Sequence, residues 1–94
     1  MGGITKKLTR QRRDYLIRCG ESVAVDTFVN LLNPKNQGVN FKWNKFPLMI
    51  EFYVRKHLFL YSPPPGPSEE EYECANDAAY AWAKNAIIKA GLLE

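Results

Sequence analysis

Apolar positions recur at helical spacing over most of this chain, and the places where the rhythm fails mark the predicted elements. From Thr5 onward, Leu8, Tyr15, Leu16 and Cys19 fall on one helix face, with charged residues between them. Gly20 interrupts the run. Ser22 is a capping residue type ahead of Val25, Phe28, Val29 and Leu32, which repeat at i, i+3, i+4 and i+7. The pattern favours two helices separated at Gly20 over one long kinked helix. Asn33-Pro34 ends the second, because the residue before a proline avoids the α region.

Val39 to Asn44 alternates with period two and predicts a short β element near residues 39–46. Pro47 to Tyr61 fits two readings. Ile50, Phe52, Val54 and Leu58 are spaced as in a strand, whereas Glu51 and Arg55 pair at i, i+4 and Pro47 suits a first helical turn. Helix is favoured. The segment Ser62-Pro63-Pro64-Pro65-Gly66-Pro67 breaks any regular structure and reads as exposed and polyproline-like.

Ser68 with Glu71 is a capping-box signature, and Glu69, Glu70 and Glu71 complement the positive end of a helix dipole. Tyr72, Ala75, Ala79, Trp82, Ala86 and Ala90 then form an apolar stripe, which Asn76-Asp77 can divide into two helices. Gly91 and Leu92 close it as a C′ glycine and its hydrophobic wrap. The expected fold is mainly α, with three or four helices in a single domain over residues 1–94.

Composition narrows the class. An apolar fraction of 46% with 13% aromatics supports one folded core in 94 residues. No apolar run reaches the roughly 18–20 residues that span a bilayer, so no membrane partner is expected. No apolar segment follows the basic residues near Met1, so no signal peptide is read there. Cys19 and Cys74 lie far apart and read as reduced thiols of an intracellular, cytoplasmic protein. His57 is the single histidine, and no nucleophile–base pattern, ligand cluster or phosphate-cradling glycine loop accompanies it. The chain therefore reads as a non-enzyme with no cofactor and no metal.

Charge is segregated. Residues 1–18 hold Lys6, Lys7, Arg10, Arg12, Arg13 and Arg18 against Asp14 alone, whereas residues 68–94 hold Glu69, Glu70, Glu71, Glu73, Asp77 and Glu94 against Lys84 and Lys89. The overall charge of +3 hides this dipole. Lys6, Lys7, Arg10, Arg12 and Arg13 are candidates for a phosphate backbone, or else a solvated face paired with the acidic last helix. In Phe41-Lys42-Trp43-Asn44-Lys45-Phe46 the aromatics interleave with lysines, so Trp43 can stack on an unpaired base while Lys42 and Lys45 hold phosphates. The alternative use of Trp43 and Phe46 is to close the core while the lysines reach for water. Tyr80, off the stripe and beside Lys84, is a further candidate contact.

Pro67-Ser68-Glu69-Glu70-Glu71 resembles the opening of the second helix of winged-helix DNA-binding domains, and Tyr80 to Glu94 resembles their recognition helix with its closing Gly91-Leu92. The resemblance covers residues 67–94 and implies a helical architecture. On a recognition helix it would turn Asn76, Asp77, Tyr80, Lys84 and Asn85 toward a DNA groove. The leading expectation is a small binding protein whose basic face meets nucleic acid or a nucleoprotein complex. The rival is a protein–protein modulator of the kind phages and mobile elements encode, an inhibitor docking on an acidic or nucleic-acid-binding protein. A homodimer through the alanine stripe is a third arrangement.

Overall fold

A computed structural model describes residues 8–93 as a mainly helical bundle, with no strand among those residues. Helix α1 spans Arg10–Leu31, α2 spans Phe46–Leu60 and α3 spans Glu69–Lys89. Helix α2 runs antiparallel to α3: Arg55 near its end meets Glu69 and Tyr72, while Pro47 and Leu48 at its start border Ile87 and Ile88. Helix α1 runs in the same sense as α3, with Arg12 on Glu71 and Phe28 against Trp82.

The expected division at Gly20 is not there. Helix α1 continues through it, and Ser22, expected to cap a second helix, is an exposed residue inside α1. Gly20 serves a different purpose. It is buried where α1 crosses α3, and a methyl group on it would lie 2.9 Å from the carbonyl carbon of Ala75 and overlap the carbonyl oxygen. Absence of a side chain lets the two backbones approach, and Ala24, Ala75, Ala79 and Ala83 continue the seam with no exposed surface. Ala75 and Ala79 of the alanine stripe are thereby buried inside the monomer, whereas Ala90 at its end is exposed. Rotation of α1 onto this seam also leaves Val25, Val29 and Leu32 exposed, although they lie on the face that periodicity marked as apolar.

Residues 39–46 form no β element. A turn leads into a single 3-10 turn, Trp43–Lys45, that feeds directly into α2. The helical reading of 47–61 holds, with Ile50, Val54 and Leu58 buried at i, i+4 and i+8. The proline segment is a tight turn rather than an extended helix: the Gly66 amide donates to the Pro63 carbonyl at 2.8 Å, with Pro64–Pro65 in cis. Helix α3 is continuous through Asn76-Asp77, so residues 67–94, where two helices of a winged-helix domain were expected, hold one. Its ends are as expected. Ser68 Oγ accepts from the Glu71 amide at 3.2 Å and Glu71 Oε1 accepts from the Ser68 amide at 3.0 Å. Gly91 adopts a φ of 67°, which lets the Leu92 amide donate back to Ile87 at 3.0 Å.

Asn76 is 9% exposed, and its Oδ1 has no hydrogen-bond partner among the described residues. A buried amide oxygen left unpaired costs roughly 1–3 kcal/mol, and an apolar replacement of similar shape removes that cost. Asn76→Leu is therefore expected to raise stability by about 1 kcal/mol. A rise in the urea midpoint at constant m-value checks this; a fall of similar size refutes it.

Candidate nucleic-acid interface

The fold sorts the charges differently from the linear chain. Lys6 and Lys7 lie outside the described residues. Thr9 caps α1, its Oγ1 accepting from the Arg12 amide at 3.0 Å, so the N-terminal arginines sit on the first turns of α1 beside the start of α3. There Arg12 Nε donates to Glu71 Oε2 at 2.6 Å. Its guanidinium also lies 5.0 Å from the centre of the Tyr15 ring. Arg12 thus has its Nε engaged by an internal acid, while its side chain stays 37% exposed. Arg10, Arg13 and Arg18 are exposed, but Asp14 and Glu21 lie among them on α1, and Glu70, Glu73 and Asp77 stand on the neighbouring part of α3. On the same half of the molecule Arg55 is held by Glu69 at 2.7 Å and lies 4.8 Å from the centre of the Tyr72 ring.

Glu71 joins two devices, giving one oxygen to its capping box and the other to Arg12. The Arg12 hydrogen bond is the largest influence on its carboxyl and holds it below the usual 4.5, against the opposing effect of partial burial. A depressed folded value stabilises the protein above the unfolded value and loses that stability as pH falls through the folded one. Stability is therefore expected to decline as pH drops below about 4.5. Arg12→Gln is expected to cost about 1 kcal/mol at pH 7, a modest figure because the guanidinium is partly exposed, and much less at pH 2–3. Urea midpoints of the two proteins across pH check it, and curves that stay parallel refute it.

The opposite end of the bundle carries the other candidates. It consists of the 32–45 connection, the first turns of α2 and the last turns of α3. The connection is folded back on α1: the Asn36 side chain donates to the Asn30 carbonyl at 2.8 Å and Gln37 donates to the Leu31 carbonyl at 2.6 Å, taking carbonyls that the end of a helix leaves free. This places Phe41 and Trp43 on the end of the core. Phe28 of α1 meets Trp43 at 5.4 Å, Phe46 at 5.8 Å and Trp82 at 5.5 Å between ring centres. Phe41 packs edge-on against Trp43 at 4.9 Å. Trp43 is thus half-buried, with the rings of Phe28, Phe41 and Phe46 packed around it, while Lys42 and Lys45 are exposed.

Lys42, Trp43 and Lys45 come together with Tyr80 and Lys84 at this end, separated from Arg12 and Glu71 by about 20 Å of α3. Two grooves run across it. One, of about 440 Å³, is lined by Gln37, Phe41, Lys42, Trp43, Asn44 and Leu92. The other, of about 210 Å³, includes Asn44, Tyr80, Lys84, Ile87 and Leu93. Residues 27–50 and 78–93 contain Lys35, Lys42, Lys45, Lys84 and Lys89 and not one aspartate or glutamate. None of these lysines forms an ion pair among the described residues. Sequence reasoning missed Lys35, Lys89, Gln37 and Asn44. The signal for them was a lack of acids in two separated stretches, which becomes a surface only when the fold joins the stretches.

Elsewhere, His57 packs on Tyr61 at 4.8 Å, and Cys19 and Cys74 are free thiols. Burial pushes the Cys74 thiol up from its ordinary value. No described helix is long and apolar enough to cross a membrane. No family model matches the chain, and neither a curated protein nor a solved structure does.

Proposed function

We propose that this chain is a small non-enzymatic protein that binds nucleic acid, alone or within a nucleoprotein complex, through the lysine-bearing end of its bundle. The observation that carries the reading is Lys42 and Lys84 lining two grooves beside Trp43 and Tyr80, within stretches 27–50 and 78–93 that also hold the exposed Lys35, Lys45 and Lys89 and no aspartate or glutamate. Unpaired lysines on one end attract a polyanion, and each phosphate they neutralise releases condensed counterions. The half of the molecule that carries Arg12 and Glu71 offers a poorer surface, because its cations are interleaved with or bound by carboxylates.

The test is binding to duplex and single-stranded DNA and RNA across a salt series. Lysines at this end acting on two to five phosphates give a log–log slope between about −2 and −4.5 on a duplex. No binding at 50 mM salt, or a flat response, refutes the proposal.

A second reading, the protein–protein modulator of phage or mobile-element type, has its own support. Phe52 and Phe59 share the outward face of α2 and are 67% and 66% exposed. Exposed aromatics in a row on one helix are typical of a docking surface. One stoichiometric protein partner that survives nuclease treatment and is lost with Phe52→Ser/Phe59→Ser favours this reading over the first.

A further inference from the structure

The two grooves at the cationic end meet. Asn44 lines both, and the consecutive residues Leu92 and Leu93 line one each. We infer that they form one track for a single strand of nucleic acid, with bases resting on Trp43–Phe41 and on Tyr80, and phosphates held by Lys42 and Lys84; this rests on the nucleic-acid reading above and specifies its substrate.

Three features select a single strand over a duplex. The first is aromatic rings at the groove walls: the half-buried Phe41 and Trp43 line the larger groove, and Tyr80, 42% exposed, lines the smaller one. In a duplex the faces of the bases are already stacked on one another, so such platforms go unused; a single strand can turn its bases onto them. The second is concavity. The larger groove falls within the roughly 300–1,000 Å³ that accommodate a small ligand, so it admits an unstacked base where a helix surface cannot enter. The third is the pairing of cation with ring. Lys84 Nζ rests over the Tyr80 ring, 5.5 Å from its centre, and Lys42 precedes Trp43 in the chain, so each groove holds a lysine together with an aromatic ring. Asn44 and Gln37 add amide groups along the wall, able to offer donors and acceptors to base edges. Residues 27–50 and 78–93, which supply the walls of both grooves, contribute no aspartate or glutamate to the path.

The experiment measures affinity at fixed salt for oligo(dT), oligo(U), a duplex of equal length and inorganic polyphosphate, which carries charge without bases. Oligo(dT) or oligo(U) is expected to bind at least about tenfold tighter than polyphosphate or duplex, the scale of a lost stacked base. Tyr80→Ala is expected to lose about tenfold for the oligonucleotides and leave polyphosphate unchanged, while Tyr80→Phe, which keeps the ring, binds as the parent does. Tyr80 is on the surface, and circular dichroism confirms that each variant is folded. Duplex or polyphosphate binding equal to that of the single strand, or no loss in Tyr80→Ala, overturns the track while leaving the cationic end as a nucleic-acid surface. Absence of all binding overturns both.

Discussion

Gly20→Val is expected to remove about 4 kcal/mol of stability, and Gly20→Ala about 2 kcal/mol, values at and just beyond the usual range for overpacking. The seam between α1 and α3 has no room at this point, and the obstacle is the Ala75 carbonyl group, which belongs to the backbone and cannot rotate aside. Relief requires the helices to separate, and separation loosens the closely packed Leu16, Ala24, Ala79 and Ala83 along the whole seam. An ordinary helical position would respond oppositely, since alanine is favoured over glycine by about 1 kcal/mol in a helix interior. The sign therefore discriminates: thermal unfolding should show Gly20→Ala melting about 10 °C lower, given roughly 4–8 °C per kcal/mol for a domain of this size. A higher melting temperature for Gly20→Ala would show that the two helices do not touch there.

The second large effect is on binding. Lys42→Glu/Lys84→Glu is expected to weaken oligonucleotide binding about 100-fold at low salt and to flatten the salt slope by roughly 1.4, the loss of two single-strand phosphate contacts. Arg10→Glu/Arg13→Glu is expected to change affinity by less than about threefold, because those arginines stand among Asp14, Glu70 and Glu73 at the other end of the bundle. Linear charge alone predicts the reverse ranking, since residues 1–18 are the most basic segment of the chain. Both double variants replace exposed side chains, so their folded fractions stay comparable and the comparison reads the surface alone. A larger loss in the arginine variant would move the interface to the N-terminal end of α1.

Much of the architecture was legible because it depends on neighbours in sequence. The capping box of Ser68 and Glu71, the Gly91 ending and the proline in the first turn of α2 are local arrangements, each decided within a few residues. Gly20 was misread for the same reason in reverse. Glycine lowers helix propensity, and by local criteria it marks a break; its role here is set by Ala75, far away in sequence, and no periodicity reports that. Val39 to Asn44 shows period two but has no partner strand among the described residues to satisfy its backbone, so the alternation instead serves to place Phe41 and Trp43 on the core with Lys42 between them in solvent.

The amino-acid order by itself determined a helical, single-core chain with a basic front and an acidic rear, because helix ends, turns and net charge are properties of short segments. Only the tertiary structure decided how the charges are grouped: packing α1 alongside α3 set Arg12 against Glu71, and folding the 32–45 connection back onto α1 put Lys42 and Lys84 in grooves that share Asn44. The physical reason is range. Capping and helix propensity act over a few residues, whereas electrostatic pairing acts over a few ångströms of space, and it is the fold that turns one kind of distance into the other.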